Sequence, residues 1–305
     1  MRSLPKFVLA ALLTVYVVWG STYFAIRYAL VSFPPFLQMG TRFLAAGLLL
    51  YGFLKLRGAP NPTLRQWRDG ALIGILLLGG GTGVVAFAEQ TVSSSLTAVF
   101  IAVSPLLFAL WSGLLFGSWP SRREWLGIGI GFGGVLLLAS GASLAGQPVG
   151  LIALFVAVCC WSLGSILSQR KMQLAPGPMG FASEMLAGGA FLLIASLLRG
   201  ESVLLPLDGK AIAAWIYLVT IGSLVGFSAY MYLLSKVPPA LASSYAFVNP
   251  LIAVALGVGL GGEEITAREG VAMAVIVVSV VLLTMAKAAP KKVVQPVAAV
   301  GGELA

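Results

Sequence analysis

The sequence predicts an all-α polytopic membrane protein: ten transmembrane helices arranged as two inverted five-helix repeats (5+5). Three observations carry that expectation. The 305 residues are 59% hydrophobic and only 10% charged, whereas a soluble domain is about a quarter charged. Ten apolar runs, each of about 20 residues, match what a helix needs to cross a bilayer core of about 30 Å. Short motifs of the first half also return, in order, in the second.

The runs fall at 7–30, 34–54, 70–89, 94–116, 124–141, 149–169, 178–198, 211–235, 239–261 and 268–287. Each must be helical, because a strand in lipid leaves its backbone groups unsatisfied. Prolines mark the joints: Pro34-Pro35, Pro60 with Pro62, Pro120, Pro148, Pro176 with Pro178, Pro206 and Pro238-Pro239. Arg2 and Lys6 before the first run mimic a signal peptide. That run is too long for a signal h-region and lacks a clear cleavage site, so it reads as a retained first helix. The runs are rich in glycine and other small residues, which let membrane helices approach closely. Residues 288–305 mix Pro, Gly and Lys without a helical period and read as a disordered cytoplasmic tail.

Basic residues orient the chain. With ten spans and a cytoplasmic N-terminus, 14 of the 19 Lys and Arg fall on the cytoplasmic side, 3 on the opposite side, and Arg27 and Arg42 within spans. Such a bias places both termini inside.

The repeat is legible in four places. Trp19-Gly20-Ser21 answers Trp161-Ser162-Leu163, and the run from Thr41 to Gly47 answers that from Ser183 to Gly189. Ser104-Pro105 answers Asn249-Pro250, and Arg123-Glu124 answers Arg268-Glu269. The offset is 142 in the first two pairs and 145 in the last two. This divides the chain into units 1–145 and 146–287. Five spans is an odd number, so the second unit enters the membrane with the opposite orientation. Inverted repeats about an axis in the membrane plane are a transporter signature.

Several function classes fall away. A net charge of +9 would suggest nucleic-acid binding in a soluble chain, but here the positives flank spans and orient them. The chain has no His, so an imidazole relay or His-ligated metal is impossible, and no metal or cofactor site is expected. Cys159 and Cys160 lie side by side in an apolar run and read as small buried hydrophobes. No Walker pattern is present, so ATP drive within this chain is excluded. No GxSxG and no facing carboxylates at helical spacing suggest an enzyme.

Trp19 and Tyr23 are four apart, on one helix face near mid-span. They either pack helices or wall a cavity that stacks on an apolar or aromatic solute, and Trp161 holds the repeat-equivalent position. A proline within a span frees a carbonyl and kinks the helix. Ser104 and Asn249, each beside such a proline, either satisfy backbone or face substrate. Phe100 and Tyr245 stand one turn earlier, and Thr82 and Tyr230 are further cavity candidates.

Arg42 and Glu184 are charges inside spans at matching repeat positions. At 1.5 Å per residue, Arg42 lies about 12 Å below the outer surface and Glu184 about 10 Å above the inner one. In a core of about 30 Å a long arginine spans the difference if the helices adjoin. The two are a structural pair or separate charges, or else a substrate-carboxylate anchor (Arg42) and a protonatable coupling group (Glu184). Arg27 and Glu89, near the outer ends of spans 1 and 3, form either a gate pair or ordinary interfacial charge. Trp111, Trp119 and Trp125 read as aromatic belt.

Trp-Gly-Ser-Thr-Tyr-Phe at 19–24, Arg-Phe-Leu-Ala-Ala at 42–46, Ser104-Pro105 and Ser-Tyr-Ala-Phe-Val-Asn-Pro at 244–250 resemble the EamA family of the drug/metabolite transporter superfamily. Within it the likeness is to bacterial inner-membrane exporters of the YedA type, over about residues 7–287. The resemblance implies a ten-helix basket whose cavity is lined by spans 1, 3, 4, 6, 8 and 9. It also implies export of small metabolites such as amino acids, or of drugs. The expectation is a secondary transporter in the inner membrane, monomer or homodimer, working by alternating access with or without proton coupling. An exchanger of anionic metabolites and a passive solute channel are the alternatives.

Overall fold

A computed structural model describes residues 5–92, 97, 100–139, 148–261 and 267–285. Among them no strand occurs. The helices are α1 (Lys6–Leu30), α2 (Pro35–Leu56), α3 (Leu64–Ala88), α4 (Ser104–Phe116), α5 (Arg122–Ala139), α6 (Pro148–Arg170), α7 (Pro178–Leu198), α8 (Gly209–Lys236), α9 (Tyr245–Gly261) and α10 (Ala267–Met285). A one-turn helix, Pro239–Ala242, precedes α9. Helices α1, α2, α3, α6, α7 and α8 are long and apolar enough to cross a membrane, and shorter apolar helices accompany them. The 25 residues of α1 reach about 37 Å at 1.5 Å per residue. The chain is a polytopic membrane protein. The tail expected at 288–305 lies outside the described residues.

Local chemistry sets the helix ends. Pro35 and Pro178 occupy the first turns of α2 and α7, where a missing N–H costs nothing. Thr63 and Gln66 form a reciprocal capping box at α3, and Ser121 and Glu124 exchange the same two bonds at α5. Asp208 accepts from Lys210 N at 2.6 Å and Ala211 N at 3.3 Å to start α8. Gly117, at φ 63°, ends α4.

Two features depart from the expected continuous spans. α3 and α8 each contain a π-helical segment, Ile75–Gly83 and Leu218–Phe227. α4 starts at Ser104 after a turn at residues 102–103, so Pro105 sits in a first turn instead of kinking a helix, whereas Pro250 lies inside α9.

Packing runs through glycines. α2 lies against α7 and α5 against α10. A Cβ on Gly189 would stand 2.8 Å from Leu44 N and 3.1 Å from Gly40 O, and one on Gly188 would stand 2.7 Å from Gly74 O. Backbone therefore meets backbone along α7, where apolar lipid offers no hydrophobic drive and close van der Waals fit does the work. Gly127, Gly131 and Gly134 face Leu283, Ser279 and Ile276 across the α5–α10 contact. α1 packs on α8 and α9, and α6 packs on α3 and α4. Leu48, Leu49, Ile152, Phe155, Leu197 and Leu198 are exposed, as lipid-facing residues must be.

Two expectations from the sequence are corrected. Cys159 and Cys160 are free and only half-buried. Trp111 is half-buried and donates its indole N–H to Ser162 Oγ at 3.1 Å, tying α4 to α6 instead of sitting in a belt. Trp119 and Trp125 are exposed.

Candidate functional site

The helices enclose a central cavity of about 60 Å³. At 10–15 Å³ per water, that is room for about four to six waters, well below the roughly 300–1,000 Å³ of a ligand-filled pocket. α1 contributes Trp19, Thr22, Tyr23 and Ile26, and α3 contributes Gly81, Thr82 and Val85. Ile101 and Ser104 close one side, Ala157 and Trp161 come from α6, and Phe227 and Tyr245 from α8 and α9. Arg42 reaches in from α2, a helix the resemblance does not place at the wall.

Trp19 is the hub. Its ring centroid lies 5.3 Å from Trp161, 4.9 Å from Phe227, 4.8 Å from Tyr230 and 4.9 Å from Tyr245. Such contacts contribute about 0.5–1.5 kcal/mol each beyond burial. Each tryptophan rests on a glycine of a π segment. A Cβ on Gly226 would stand 2.6 Å from Trp19 Nε1, and one on Gly81 would stand 2.9 Å from Trp161 Cε3. Gly81 and Gly226 are 145 positions apart, the same offset that relates Ser104 to Asn249.

Polar groups stand among the aromatics. Asn249 donates its Nδ2 to Tyr23 OH at 3.3 Å, while Asn249 Oδ1 and Trp19 Nε1 are buried without a hydrogen-bond partner. The hydroxyls of Thr22, Thr82 and Ser104 donate to the backbone oxygens of Trp19, Leu78 and Ile101. Tyr230 OH pairs with Ser165 Oγ at 2.7 Å, just outside the wall. Phe100 is half-buried against the core and does not reach the wall.

The bundle's two ends differ. One turn before Trp19, Tyr16 OH meets Ser244 Oγ at 2.6 Å, and at the end holding the start of α3 and the ends of α6 and α8, Gln169 donates to Leu234 O at 2.6 Å. Asp69 there takes Arg68 at 2.8 Å and Gln173 N at 2.9 Å. At the other end a recess of about 310 Å³ is lined by Arg27, Leu30, Val31, Glu89 and Gln90.

Of the alternatives open for the in-span charges, neither pairing, Arg42 with Glu184 or Arg27 with Glu89, forms as an ion pair. Arg68–Asp69 is the one ion pair among the described residues. Arg42 turns towards α8, where Gly222 leaves room for it, and donates Nε to Ser223 Oγ at 2.8 Å. Glu184 is buried at the α7–α3 contact, beside Gly70 and Gly74. Arg42 is thereby engaged with α8, while Glu184 sets its backbone against the α3 glycines, and no ion pair joins the two. Arg27 and Glu89 share the recess without an ion pair, and both Glu89 carboxylate oxygens are buried with no hydrogen-bond partner.

Of the residues singled out from the sequence, Trp19, Tyr23, Arg42, Thr82, Ser104, Trp161 and Tyr245 reach the cavity. Tyr230 and Asn249 stand directly behind it. Phe227 and the two glycine seats went unread. The 145-residue offset was the available signal, since it carries Gly81 onto Gly226. No group of three His, Cys, Asp or Glu side chains comes together among the described residues.

The EamA-like transporter family matches residues 6–140 and again 148–285. The inner membrane transporter YedA of Escherichia coli (strain K12), described as uncharacterized, is 47% identical over 285 residues, 93% of this chain and 92% of that protein. Protein PecM of Dickeya dadantii (strain 3937) is 26% identical over 268 residues, 86% of this chain and 88% of that protein. A protein of known crystal structure shares the fold at 20% identity, with a TM-score of 0.74 over 90% of this chain and 95% of that one. The family is one of transporters and not of enzymes, and its model covers both halves: the chain belongs to the EamA-like transporter family.

Proposed function

We propose that this chain is a secondary transporter. It exports small organic metabolites, amino-acid-like or aromatic and amphipathic, across the bacterial inner membrane by alternating access. The observation that carries the reading is the contact of Trp19 with Trp161 at 5.3 Å over the central cavity, one residue from each half. A site shared by two halves changes its exposure when they rock, and both can then close on one solute.

The helices are read as ten spans in two inverted repeats, near 1–145 and 146–287, with both termini cytoplasmic. The helix contacts support this. Exchanging α1 with α6, α2 with α7, α3 with α8, α4 with α9 and α5 with α10 turns the α1–α8 and α1–α9 contacts into α6–α3 and α6–α4. It leaves α2–α7 and α5–α10 in place. The paired π segments and the two separate matches to the family model obey the same exchange.

On this topology the hydrogen-bonded end is cytoplasmic and the recess at Arg27 and Glu89 is outside, so the described state is closed inward with its pocket nearly shut. A closed pocket favours a carrier over an open channel. Aromatic walls suit flat apolar bodies, and Tyr23 with Asn249 orients them. Glu89 and Glu184 are the buried carboxylates available for proton coupling. The test is counterflow in proteoliposomes screened with radiolabelled amino acids and aromatic solutes at two pH gradients. Saturable uptake accelerated by internal unlabelled solute is the expected result, and non-saturable flux without counterflow would refute the carrier.

A further inference from the structure

Arg42 is buried, with 2% of its surface exposed, yet it borders the cavity. Its Nε is bound to Ser223 Oγ at 2.8 Å and its Nη1 meets only Met39 Sδ at 3.6 Å. Nη2 lies beside Gly222 and has no carboxylate in reach, since the sole ion pair among the described residues is elsewhere. No Asp or Glu lines the cavity, so Arg42 is its one charged wall residue among those described. The hydroxyls of Thr22, Thr82 and Ser104 at the wall have given their protons to backbone carbonyls. A guanidinium held out of water without an anion is costly, and a planar anion that accepts two parallel N–H bonds satisfies it best.

We infer that Arg42 is the anchor for a carboxylate on the transported solute, and that the substrates are small monocarboxylic acids with an apolar or aromatic body. The inference rests on the transport reading above and narrows it. The cavity's 60 Å³ accommodates the carboxylate and a few carbons. The apolar body then displaces the rings of Trp19, Trp161 and Phe227, which pack on one another at 4.9–5.8 Å. The wall selects for anions, because a cationic head group meets only the Arg42 guanidinium inside.

The probe is [¹⁴C]phenylacetate, bound to the purified full chain in nanodiscs and displaced by unlabelled phenylacetate, by its neutral isostere phenylacetamide, or by phenethylamine. In the unsubstituted protein phenylacetate should compete about tenfold or more better than the amide, as a charge-assisted bidentate contact requires, and the amine should be weakest. Arg42→Gln should bring acid and amide to about the same affinity, and Arg42→Lys should keep part of the preference because the charge remains. The comparison of ligands on the unsubstituted protein does not depend on any variant folding. Saturable binding with equal competition by acid and amide would overturn the anchor and leave the aromatic cavity standing. Absence of saturable binding by any of the three would overturn both.

Discussion

The seat of Trp19 on Gly226 can be tested by filling it. In Gly226→Ala the new methyl would lie 2.6 Å from Trp19 Nε1, 3.0 Å from Cδ1 and 3.1 Å from Val18 Cγ1, where ordinary contact begins at 3.4 Å. The indole must retreat by about 0.8 Å, and overpacking of this kind costs about 1–3 kcal/mol. Its ring neighbours crowd it at 4.8–5.3 Å, and the cavity is the open space that it borders. Gly226→Ala should therefore lower the melting temperature in detergent by several degrees, at roughly 2–4 °C per kcal/mol, and slow solute flux by narrowing the pocket. With Trp19→Ala as background the same substitution keeps only the milder contact with Val18 Cγ1 at 3.1 Å. The cycle should then return a coupling of about 1–3 kcal/mol between the two sites. Gly81→Ala with Trp161→Ala should behave alike in the other half. An equal drop in melting temperature with and without Trp19 would refute the reasoning, because the strain would then arise in the π segment itself.

Trp19→Ala and Trp161→Ala should each reduce flux about tenfold or more while membrane insertion, read by fractionation, stays near that of the parent, because each removes an aromatic surface on which the solute would pack; normal flux in both would end the aromatic-cavity reading. Glu184→Gln should abolish the response of efflux to a pH gradient and keep counterflow, and full retained sensitivity would remove Glu184 as the coupling group and leave Glu89. Gly131→Ala places a methyl against Ser279 Oγ and 2.8 Å from Phe247 Cδ2, so it should destabilise by about 1–3 kcal/mol with solute affinity unchanged; altered affinity would show that the α5–α10 contact reaches the cavity.

Much of the architecture could be read from composition and punctuation. Apolar runs cut by Pro34-Pro35 and Pro176 with Pro178 give helices that begin at Pro35 and Pro178, because a proline is tolerated in a first turn and disruptive later. The offset of 142 alone carries Trp19 onto Trp161, the residue its ring meets at 5.3 Å. The π segments are not legible in the sequence, because moving from an i+4 to an i+5 bond alters neither hydropathy nor residue type. The turn at residues 102–103 was hidden for a similar reason: Ser104-Pro105 reads equally as a kink or as a new start. Side-chain partners were least legible. Arg42 and Glu184 match in repeat position and differ in depth by about 8 Å, within an arginine's reach, yet Arg42 finds Ser223, 181 residues away, since Gly222 makes space that only the packed helices reveal.

The inverted arrangement of the halves is tested most directly by asking which side of the membrane two equivalent residues face. Arg122 and Ala267 open α5 and α10, 145 positions apart, and both are exposed. In a background with Cys159 and Cys160 replaced by alanine, Arg122→Cys and Ala267→Cys are labelled with a membrane-impermeant maleimide in right-side-out and inside-out vesicles. Labelling of position 267 from outside and position 122 only from the cytoplasmic side is the predicted result. Labelling of both from one side would mean that the halves lie parallel, and would contradict the account.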